Sequence, residues 1–220
     1  MRESIREFVG VVAKTLAIPE PIFEFGSFQT LGQEGFADLR PFFVGKEYIG
    51  CDMRKGPGVD RILDLNNIEL PSESAGTVLM IDTLEHVEYC RKAIDEVYRI
   101  LRPGGILVMT SVMKCQIHDY PYDYWRFTPE AFKSLLKPFH MLFVDFAGGE
   151  KNFPEIIIGI GVKNQTVSLD KFYPVFNIWK QKWSKPPQIE SLKMLIKLLS
   201  PPIVMILYGK LMRMLKKQII

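Results

Sequence analysis

Chemically active side chains are concentrated between His118 and Arg126, where nine residues hold an imidazole, two carboxylates, three phenols, an indole and a guanidinium. An imidazole titrates near neutral pH and can take a proton from a hydroxyl group. We therefore expect His118 to be a general base, with Asp119 as the second candidate. Aromatic faces can stack on a polar, ring-shaped molecule such as a sugar while charged groups bind its hydroxyls. The residues expected to bind such an acceptor are Tyr122, Asp123, Tyr124, Trp125 and Arg126.

This segment also has a structural alternative. Its aromatic side chains could pack against the edge of a sheet, and Arg126 could form an ion pair with Asp119 or Asp123. A histidine can equally serve as a structural hydrogen-bonding group, and His86 is a third candidate for the base. Both interpretations stay open from the residues alone.

Acidic residues occur near the carboxyl ends of three predicted strands. Glu24 and then Gly26 close the first, Asp52 ends the second, and Asp64 follows the third. In an open α/β sheet, ligands bind outside the carboxyl ends of the strands, and a glycine there lets the backbone approach a ligand closely. A carboxylate at Asp52 could accept hydrogen bonds from both hydroxyls of a ribose. A helix cap or a turn is the alternative role for each acid.

The elements that must position these residues are short apolar segments rich in strand-forming residues. The first five alternate with predicted helices or crossovers, which indicates a mostly parallel sheet with helices on both faces. The last two are joined only by Gly148 to Pro154, which is too short for a parallel crossover and permits a hairpin. The seven predicted strands are Pro21–Phe25, Tyr48–Cys51, Arg61–Leu63, Thr77–Ile81, Ile106–Val112, Met141–Phe146 and Ile156–Val162.

Helices are predicted where apolar residues recur with helical spacing. The clearest runs from Cys90 to Leu101 and stops at Pro103-Gly104-Gly105. Another begins at Thr128, a hydroxyl N-cap followed by Pro129 at the first helical position. Two more are predicted over residues 3–17 and near Gln33–Phe42, and the start of the latter would favour a carboxylate or phosphate.

The most specific motif is Asp82-Thr83-Leu84-Glu85-His86-Val87, followed by a helix that ends in Leu101-Arg102-Pro103-Gly104-Gly105. Together with Glu24-x-Gly26, Asp52 and Asp64-Leu65, in this order, it resembles the class I S-adenosylmethionine-dependent methyltransferases of the type-11 branch. The resemblance covers about Ile22–Val162. It implies a Rossmann-like, seven-stranded, mostly parallel sheet with the last strand antiparallel.

The resemblance also implies the cofactor S-adenosylmethionine, and no metal site is expected. Family members commonly continue the first turn as Gly-x-Gly, whereas this chain has Gly26-Ser27-Phe28, which implies that the methionine end of the cofactor is held differently. The residues that the resemblance assigns to the cofactor are Glu24, Gly26, Ser27, Phe28, Asp52, Met53, Asp64, Leu65, Asp82 and Thr83.

The expected function is methyl transfer to a small polar or glycan acceptor, at a hydroxyl. Strings similar to His118–Pro129 occur in methyltransferases associated with cell-surface polysaccharide genes, so the resemblance implies polysaccharide biosynthesis. The alternative is a non-catalytic binding module or partner subunit with the same fold. A nicotinamide-dependent oxidoreductase is disfavoured because the Gly-x-Gly-x-x-Gly turn is absent.

Charge and cysteine content indicate which partners and which cellular compartment to expect. The 220 residues carry a net charge of +3, yet residues 191–220 contain six basic and no acidic residues, so the rest of the chain is mildly acidic. No nucleic-acid partner is expected, because the main body has no basic excess. Three cysteines at wide spacing and no signal-peptide core in the N-terminal residues predict a cytoplasmic protein.

Three regions are predicted: a methyltransferase domain over residues 1–163, a connector over 164–190 with little periodicity, and a basic apolar tail over 191–220. Basic apolar segments are attracted to anionic lipids, so the tail could contact the inner membrane face peripherally. It could equally form helices that pack on the domain or on a second subunit, and the sequence does not determine the oligomeric state.

Overall fold

Seven strands form one sheet in the computed structural model, which describes residues 1–119 and 121–184. The strand order is β3-β2-β1-β4-β5-β7-β6, and every pair is parallel except the two that involve β7. This confirms the Rossmann-like sheet with an antiparallel last strand. The strands are β1 (Ile22–Phe25), β2 (Tyr48–Asp52), β3 (Arg61–Ile62), β4 (Ala75–Ile81), β5 (Leu101–Val112), β6 (Met141–Ala147) and β7 (Ile156–Val162).

Helices cover both faces of the sheet, as predicted. They are α1 (Glu3–Thr15), α2 (Cys90–Ile100), α3 (Pro129–Leu135) and α4 (Phe172–Trp183). The packing of α2 and α3 forms one apolar core, and that of α1 and α4 forms a second core on the other face. Every residue of β4 and β7 is buried, because central strands covered on both sides expose neither face to water.

The helix α3 begins as its sequence predicts. Thr128 has extended backbone angles, and its hydroxyl accepts a hydrogen bond of 3.1 Å from the N–H of Ala131. This bond satisfies one of the amide donors that a helix start leaves free. The cap fixes the point at which the preceding segment, His118–Phe127, must return to the sheet.

The helix α4 lies within residues 164–190, which the sequence predicts to be a connector. Phe172, Phe176 and Trp179 follow each other at intervals of four and three residues and are all buried. The indole N–H of Trp179 donates a 2.8 Å hydrogen bond to the carbonyl of Ser4, which joins α4 to α1. Tyr173, Val175 and Ile178 are exposed apolar residues between them, so both faces of the helix are apolar and the helical period is concealed. Residues 185–190 and the predicted tail 191–220 lie outside the described residues.

The helix predicted near Gln33–Phe42 does not form. Only a short 3-10 turn is present, over Arg40–Phe42. Gly35, inside the predicted helix, has φ of +76°, which a right-handed helix excludes. The helix start expected in this segment is therefore not present among residues 33–42. Within the described part of the chain, no helix is both long and apolar enough to cross a membrane.

Candidate functional site

The turn after β1 passes very close to the turn after β4. Gly26 has φ of +85°, and its N–H donates to the carbonyl of Cys51 over 2.9 Å. A Cβ atom at this position would lie 2.3 Å from Oγ1 of Thr83. The Thr83 hydroxyl itself lies 3.0 Å from the carbonyl of Phe25 and 3.1 Å from that of Ile81. Only glycine fits at position 26, and the Thr83 side chain packs directly against this turn.

Ser27 and Phe28 take different positions in this turn. The Ser27 side chain is buried, and its hydroxyl donates to the carbonyl of Cys51 over 3.2 Å. It therefore holds β1 to β2 rather than facing a ligand. The ring of Phe28 is half-buried and lies 4.6 Å from the guanidinium of Arg54. Phe28 and Arg54 form a cation–π pair beside the carboxyl end of β2.

Asp52 ends β2 with its side chain only 9% exposed. Its Oδ1 accepts hydrogen bonds from the backbone N–H of Arg54 over 2.9 Å and from Nε of Arg54 over 3.3 Å. Among the described residues Oδ2 receives no hydrogen bond, which leaves it for a ligand. Arg54 also lies 3.7 Å from Oδ2 of Asp119. Arg54 is not among the residues predicted from the sequence, although a basic residue two positions after an acid indicates such a pairing. Met53 is exposed.

Glu24 faces the sheet rather than the turn. It is buried, and its Oε2 accepts a 2.6 Å hydrogen bond from the hydroxyl of Tyr48. Burial raises the pKa of the Glu24 carboxyl to about 7, and the Tyr48 hydrogen bond opposes this shift. The same burial and the nearby Glu24 raise the pKa of the Tyr48 hydroxyl. The two groups thus share one buried hydrogen bond beneath the expected cofactor edge.

The short segment after β3 forms a turn built on Asp64. Its Oδ1 accepts from the backbone N–H of Asn66 over 2.8 Å and from Nδ2 of Asn66 over 3.1 Å. The side chain of Leu65 is buried in the core. The side-chain oxygen of Asn66 is buried without a hydrogen-bond partner among the described residues. An unpaired buried acceptor beside Asp64 and Leu65 is suited to a donor such as an adenine amino group.

Asp82 follows β4 with φ of +47°. The Thr110 hydroxyl donates to its Oδ1 over 2.7 Å, and the guanidinium of Arg2 donates to its Oδ2 over 3.2 Å. The amino group of Met1 bonds to the side chain of Gln33. The residues before α1 therefore reach the carboxyl ends of the strands. Arg2 could not be predicted as part of the site, because no residue near it in the sequence indicates its contact with Asp82.

The segment His118–Phe127 is held against the turn after β4 by backbone bonds. The N–H groups of Tyr124 and Trp125 donate to the carbonyl of Glu85 over 2.9 and 3.2 Å. The indole of Trp125 donates to the carbonyl of Val87 over 3.0 Å, and Nδ1 of His86 lies 2.7 Å from the carbonyl of Tyr122. The segment is thus fixed at the carboxyl edge of β4 and β5.

Asp123 and Arg126 pair with each other, as in the structural alternative that the sequence leaves open for this segment. The guanidinium of Arg126 donates to both carboxylate oxygens of Asp123, over 2.6 and 2.7 Å. The N–H of His118 donates to the same carboxylate over 2.8 Å. These bonds, led by Arg126, hold the pKa of the Asp123 carboxyl well below its usual range. The Asp123 side chain is only 1% exposed, so the pair braces the segment from inside.

The remaining predicted acceptor contacts lie at the surface. Tyr122, Tyr124 and Trp125 are exposed, and Asp119 is half-exposed with φ of +51°. Trp125 also lines a cleft of about 670 Å³ together with residues of α2 and α3. Tyr120 lies outside the described residues. The exposed aromatic rings remain available for a ligand.

The imidazoles of His86 and His118 meet edge to face, with ring centroids 4.8 Å apart. Glu85 lies beneath them, fully buried, and its Oε2 accepts a 2.6 Å hydrogen bond from the hydroxyl of Ser111. Burial and the nearby Asp82 raise the pKa of the Glu85 carboxyl. His86, the third candidate for the base from the sequence, thus lies together with His118.

Known proteins are similar to this chain in sequence over one region and in fold over most of it. Residues 45–109 match the model of a methyltransferase domain. No curated protein matches the chain significantly.

Among solved structures, an S-adenosylmethionine-dependent methyltransferase of Thermotoga maritima, described as a possible histamine N-methyltransferase, has a TM-score of 0.55 at 18% identity. The match covers 72% of this chain and 91% of that one. An S-adenosylmethionine-dependent methyltransferase of Archaeoglobus fulgidus has a TM-score of 0.52 at 15% identity, covering 72% and 94%. The trans-methyltransferase CalH, in complex with S-adenosylhomocysteine, has a TM-score of 0.54 at 16% identity, covering 71% and 55%. Residues 45–109 are thus similar in sequence to a methyltransferase domain, and the chain shares the fold of S-adenosylmethionine-dependent methyltransferases.

Proposed function

We propose that this domain transfers a methyl group to a hydroxyl of a small polar or glycan acceptor, with His118 as the general base. The observation that carries the proposal is the surroundings of the His118 ring. Its Nδ1 lies 3.2 Å from the carbonyl of Gln116 and 3.3 Å from Oδ2 of Asp123. Both are acceptors, so Nδ1 carries the proton and Nε2 keeps a lone pair that can take a proton.

The proposed cofactor contacts follow the carboxyl ends of β1 to β4. Asp52 would bind the ribose hydroxyls through Oδ2, and Asp64, Leu65 and Asn66 would bind the adenine. Gly26 would let the backbone approach the cofactor, because no Cβ fits there. The ring of Phe28 and the side chain of Met53 would flank it, and Glu24, Ser27, Asp82 and Thr83 would shape its site. When bound, S-adenosylmethionine supplies a methyl group that a positive sulfonium already activates.

The residues of the acceptor segment would orient the hydroxyl. Tyr122, Tyr124 and Trp125 are exposed on the same segment as His118, and aromatic faces of this kind stack on sugar rings. The Asp123–Arg126 pair fixes the loop, so His118 can be positioned before an acceptor arrives. Positioning of reacting groups supplies roughly 7–11 kcal/mol in favourable cases. Asp119 is the second candidate for the base.

The biological setting that we propose is polysaccharide biosynthesis in the cytoplasm. A lipid-linked glycan as the acceptor would suit peripheral contact of residues 191–220 with the inner membrane face, because that tail is basic and apolar.

The test begins with calorimetric titration of the full chain with S-adenosylmethionine and S-adenosylhomocysteine. Methyl transfer is then measured on nucleotide sugars and glycans. We expect His118→Ala to lower turnover on a hydroxyl acceptor by about 10²–10⁴ while cofactor affinity is unchanged. His140→Ala is the matched control, since His140 is exposed and precedes β6. Equal turnover of the His118 variant would remove it as the base.

A second candidate function, a non-catalytic binding module or partner subunit, is favoured by one contact. The guanidinium of Arg54 is bonded to Asp52 and stacked on Phe28, where the cofactor would lie. A folded protein that binds neither S-adenosylmethionine nor S-adenosylhomocysteine would support this second function.

A further inference from the structure

Glu85, His86 and His118 bring three potential metal ligands together at one point. One ligand atom from each residue, a carboxylate oxygen or a ring nitrogen, lies within 4.8 Å of the others. Glu85 and His86 come from the turn after β4, and His118 comes from the segment after β5. The backbone bonds from Tyr124 and Trp125 to Glu85 hold these two parts of the chain together.

Both histidines present Nε2 as the atom free to bind. Nδ1 of His86 lies 2.7 Å from the carbonyl of Tyr122, and Nδ1 of His118 faces the carbonyl of Gln116 and the carboxylate of Asp123. A carbonyl or an ionised carboxylate only accepts hydrogen bonds, so each Nδ1 carries the proton. Metal-binding histidines typically donate their second N–H to a carbonyl or carboxylate in this way.

The buried carboxylate of Glu85 provides an independent observation. Its side chain is completely buried, and Oε2 is bonded to Ser111. Oε1 is also buried but has no hydrogen-bond partner among the described residues. A buried carboxyl oxygen without a hydrogen-bond partner is costly, because it loses its hydrogen bonds to water and gains none in return. A bound cation would compensate for that loss.

We propose that Glu85, His86 and His118 form a binding site for one divalent transition-metal cation. Two imidazoles and one carboxylate suit ions such as zinc, whereas magnesium and calcium prefer oxygen ligands. Ligand atoms about 2.1 Å from a tetrahedral ion lie roughly 3.4 Å apart, so atoms separated by up to 4.8 Å must approach by up to about 1.4 Å. His118 can supply this movement, since its side chain is 41% exposed on a loop.

Such a cation would lie beside the exposed aromatic residues and leave coordination positions for an acceptor oxygen. Metal binding lowers the pKa of a bound hydroxyl group. This consequence rests on the proposed methyl transfer to a hydroxyl. Nε2 of His118 cannot bind the cation and take a proton at once, so in the metal-bound form His118 orients the ion rather than acting as the base.

The test measures binding in the absence of cofactor and acceptor. The full chain, freed of metal with a chelator, is titrated with Zn²⁺ by calorimetry and with Co²⁺ by visible absorption. We expect one ion per chain at the site and binding at least tenfold weaker in His118→Ala and in Glu85→Gln. We expect unchanged affinity in two control variants, His140→Ala and Cys115→Ser. Cys115 is included because its Sγ lies 3.8 Å from Nδ1 of His118, so this control tests whether the thiol binds the ion instead.

Circular dichroism shows whether the Glu85→Gln variant is folded. If it is not folded, the His118→Ala variant still decides the test, because His118 is at the surface and its replacement should not affect folding. Absence of saturable Zn²⁺ binding, or equal affinity in His118→Ala, would overturn the metal site. Metal binding without methyl transfer would instead overturn only the proposed function. Methyl transfer that persists in chelator, with no Zn²⁺ binding, would overturn only the metal site.

Discussion

The imidazole ring of His118 meets that of His86 edge to face, with the ring centroids 4.8 Å apart. The contact exists because β4 and β5 are parallel neighbours whose carboxyl ends lie at the same edge of the sheet. His86 follows β4 and is the last residue of a short 3-10 turn, Leu84–His86. His118 follows β5 and lies in a loop. The candidate acceptor site is therefore built by two chain segments that the parallel pairing of β4 and β5 brings to the same edge.

Replacing Asp52 by Asn should weaken S-adenosylmethionine binding by about 10- to 100-fold, because charge-assisted hydrogen bonds to the ribose contribute roughly 1.5–3 kcal/mol. The side chain keeps its shape, so the fold should persist. Calorimetric titration measures the dissociation constant. Asp170→Asn, an exposed acid before α4, is the control. Unchanged affinity in the Asp52 variant would remove the ribose assignment.

Gly26→Ala should destabilise the domain and abolish cofactor binding. The methyl group would lie 2.3 Å from Oγ1 of Thr83, and the backbone φ of +85° is strained for alanine. Gly45→Ala separates these two causes, since Gly45 has φ of +80° but open space around its Cβ position. We expect about 1 kcal/mol for Gly45→Ala and about 2–4 kcal/mol for Gly26→Ala in urea unfolding. Equal losses would show that the contact with Thr83 does not matter.

Asp123→Asn should loosen the acceptor segment without affecting the cofactor. The substitution leaves the partly buried Arg126 guanidinium without its two carboxylate bonds, which should cost about 1–3 kcal/mol. Hydrogen exchange should accelerate over residues 117–126, and turnover should fall while cofactor affinity stays the same. Glu130→Gln is the control, because it removes an exposed ion pair with Lys133 that contributes under about 0.5 kcal/mol. Unaltered exchange in the Asp123 variant would contradict the bracing role.

Stability should fall as the pH rises from about 4.5 to about 7 because of Glu24. Over this window the buried carboxyl holds its proton in the folded state, whereas the unfolded chain has lost it. By about pH 7 the free energy of unfolding should have fallen by roughly 3 kcal/mol relative to its value at about pH 4.5. Glu24→Gln removes this contribution and keeps an acceptor for the Tyr48 hydroxyl.

Urea unfolding of both proteins at several pH values between 5 and 8 measures the effect. The contribution of Glu85, which also resists ionisation, is common to both proteins and cancels in their difference. A constant difference between the two stabilities across this range would show that Glu24 ionises as easily in the folded state.

Phe176→Ala should lower the free energy of unfolding by about 3–5 kcal/mol, because it opens a cavity in the core between α4 and α1. Phe176 is 1% exposed and contacts the rings of Phe8 and Trp179. Ile178→Ala on the same helix is the control, since Ile178 is 70% exposed. Equal stability of the two variants would mean that α4 does not belong to the folded domain.

Much of the sheet could be predicted because buried strands are short apolar runs separated by turn residues. β7 has its predicted bounds, and β1 and β2 differ by one residue. β5 begins at Leu101 instead of Ile106, since the backbone pairs with Ala75 before the register shifts near the Pro-Gly-Gly turn. That pairing depends on a partner strand, which local pattern does not reveal.

The contacts of the site were less predictable than its location. Strand ends and motif spacing indicate where Asp52, Asp82 and His118 lie. They do not indicate that Arg54 forms a hydrogen bond with Asp52, or that Arg126 forms its ion pair with Asp123 rather than with Asp119. These choices depend on loop conformations, such as the positive φ of Asp119, that no periodic pattern encodes.

The contact between Trp179 and Ser4 also has a consequence for biosynthesis. These residues are 175 positions apart, so the ribosome makes α1 long before α4 emerges to cover it. Until then the apolar face of α1, with Ile5, Phe8 and Val12, has only part of its core to pack against. Contacts this distant in sequence slow folding, because a long loop must close before they form. The apolar face of α1 is therefore exposed on the nascent chain for most of translation. A chaperone that binds apolar helices would protect it from aggregation during that time.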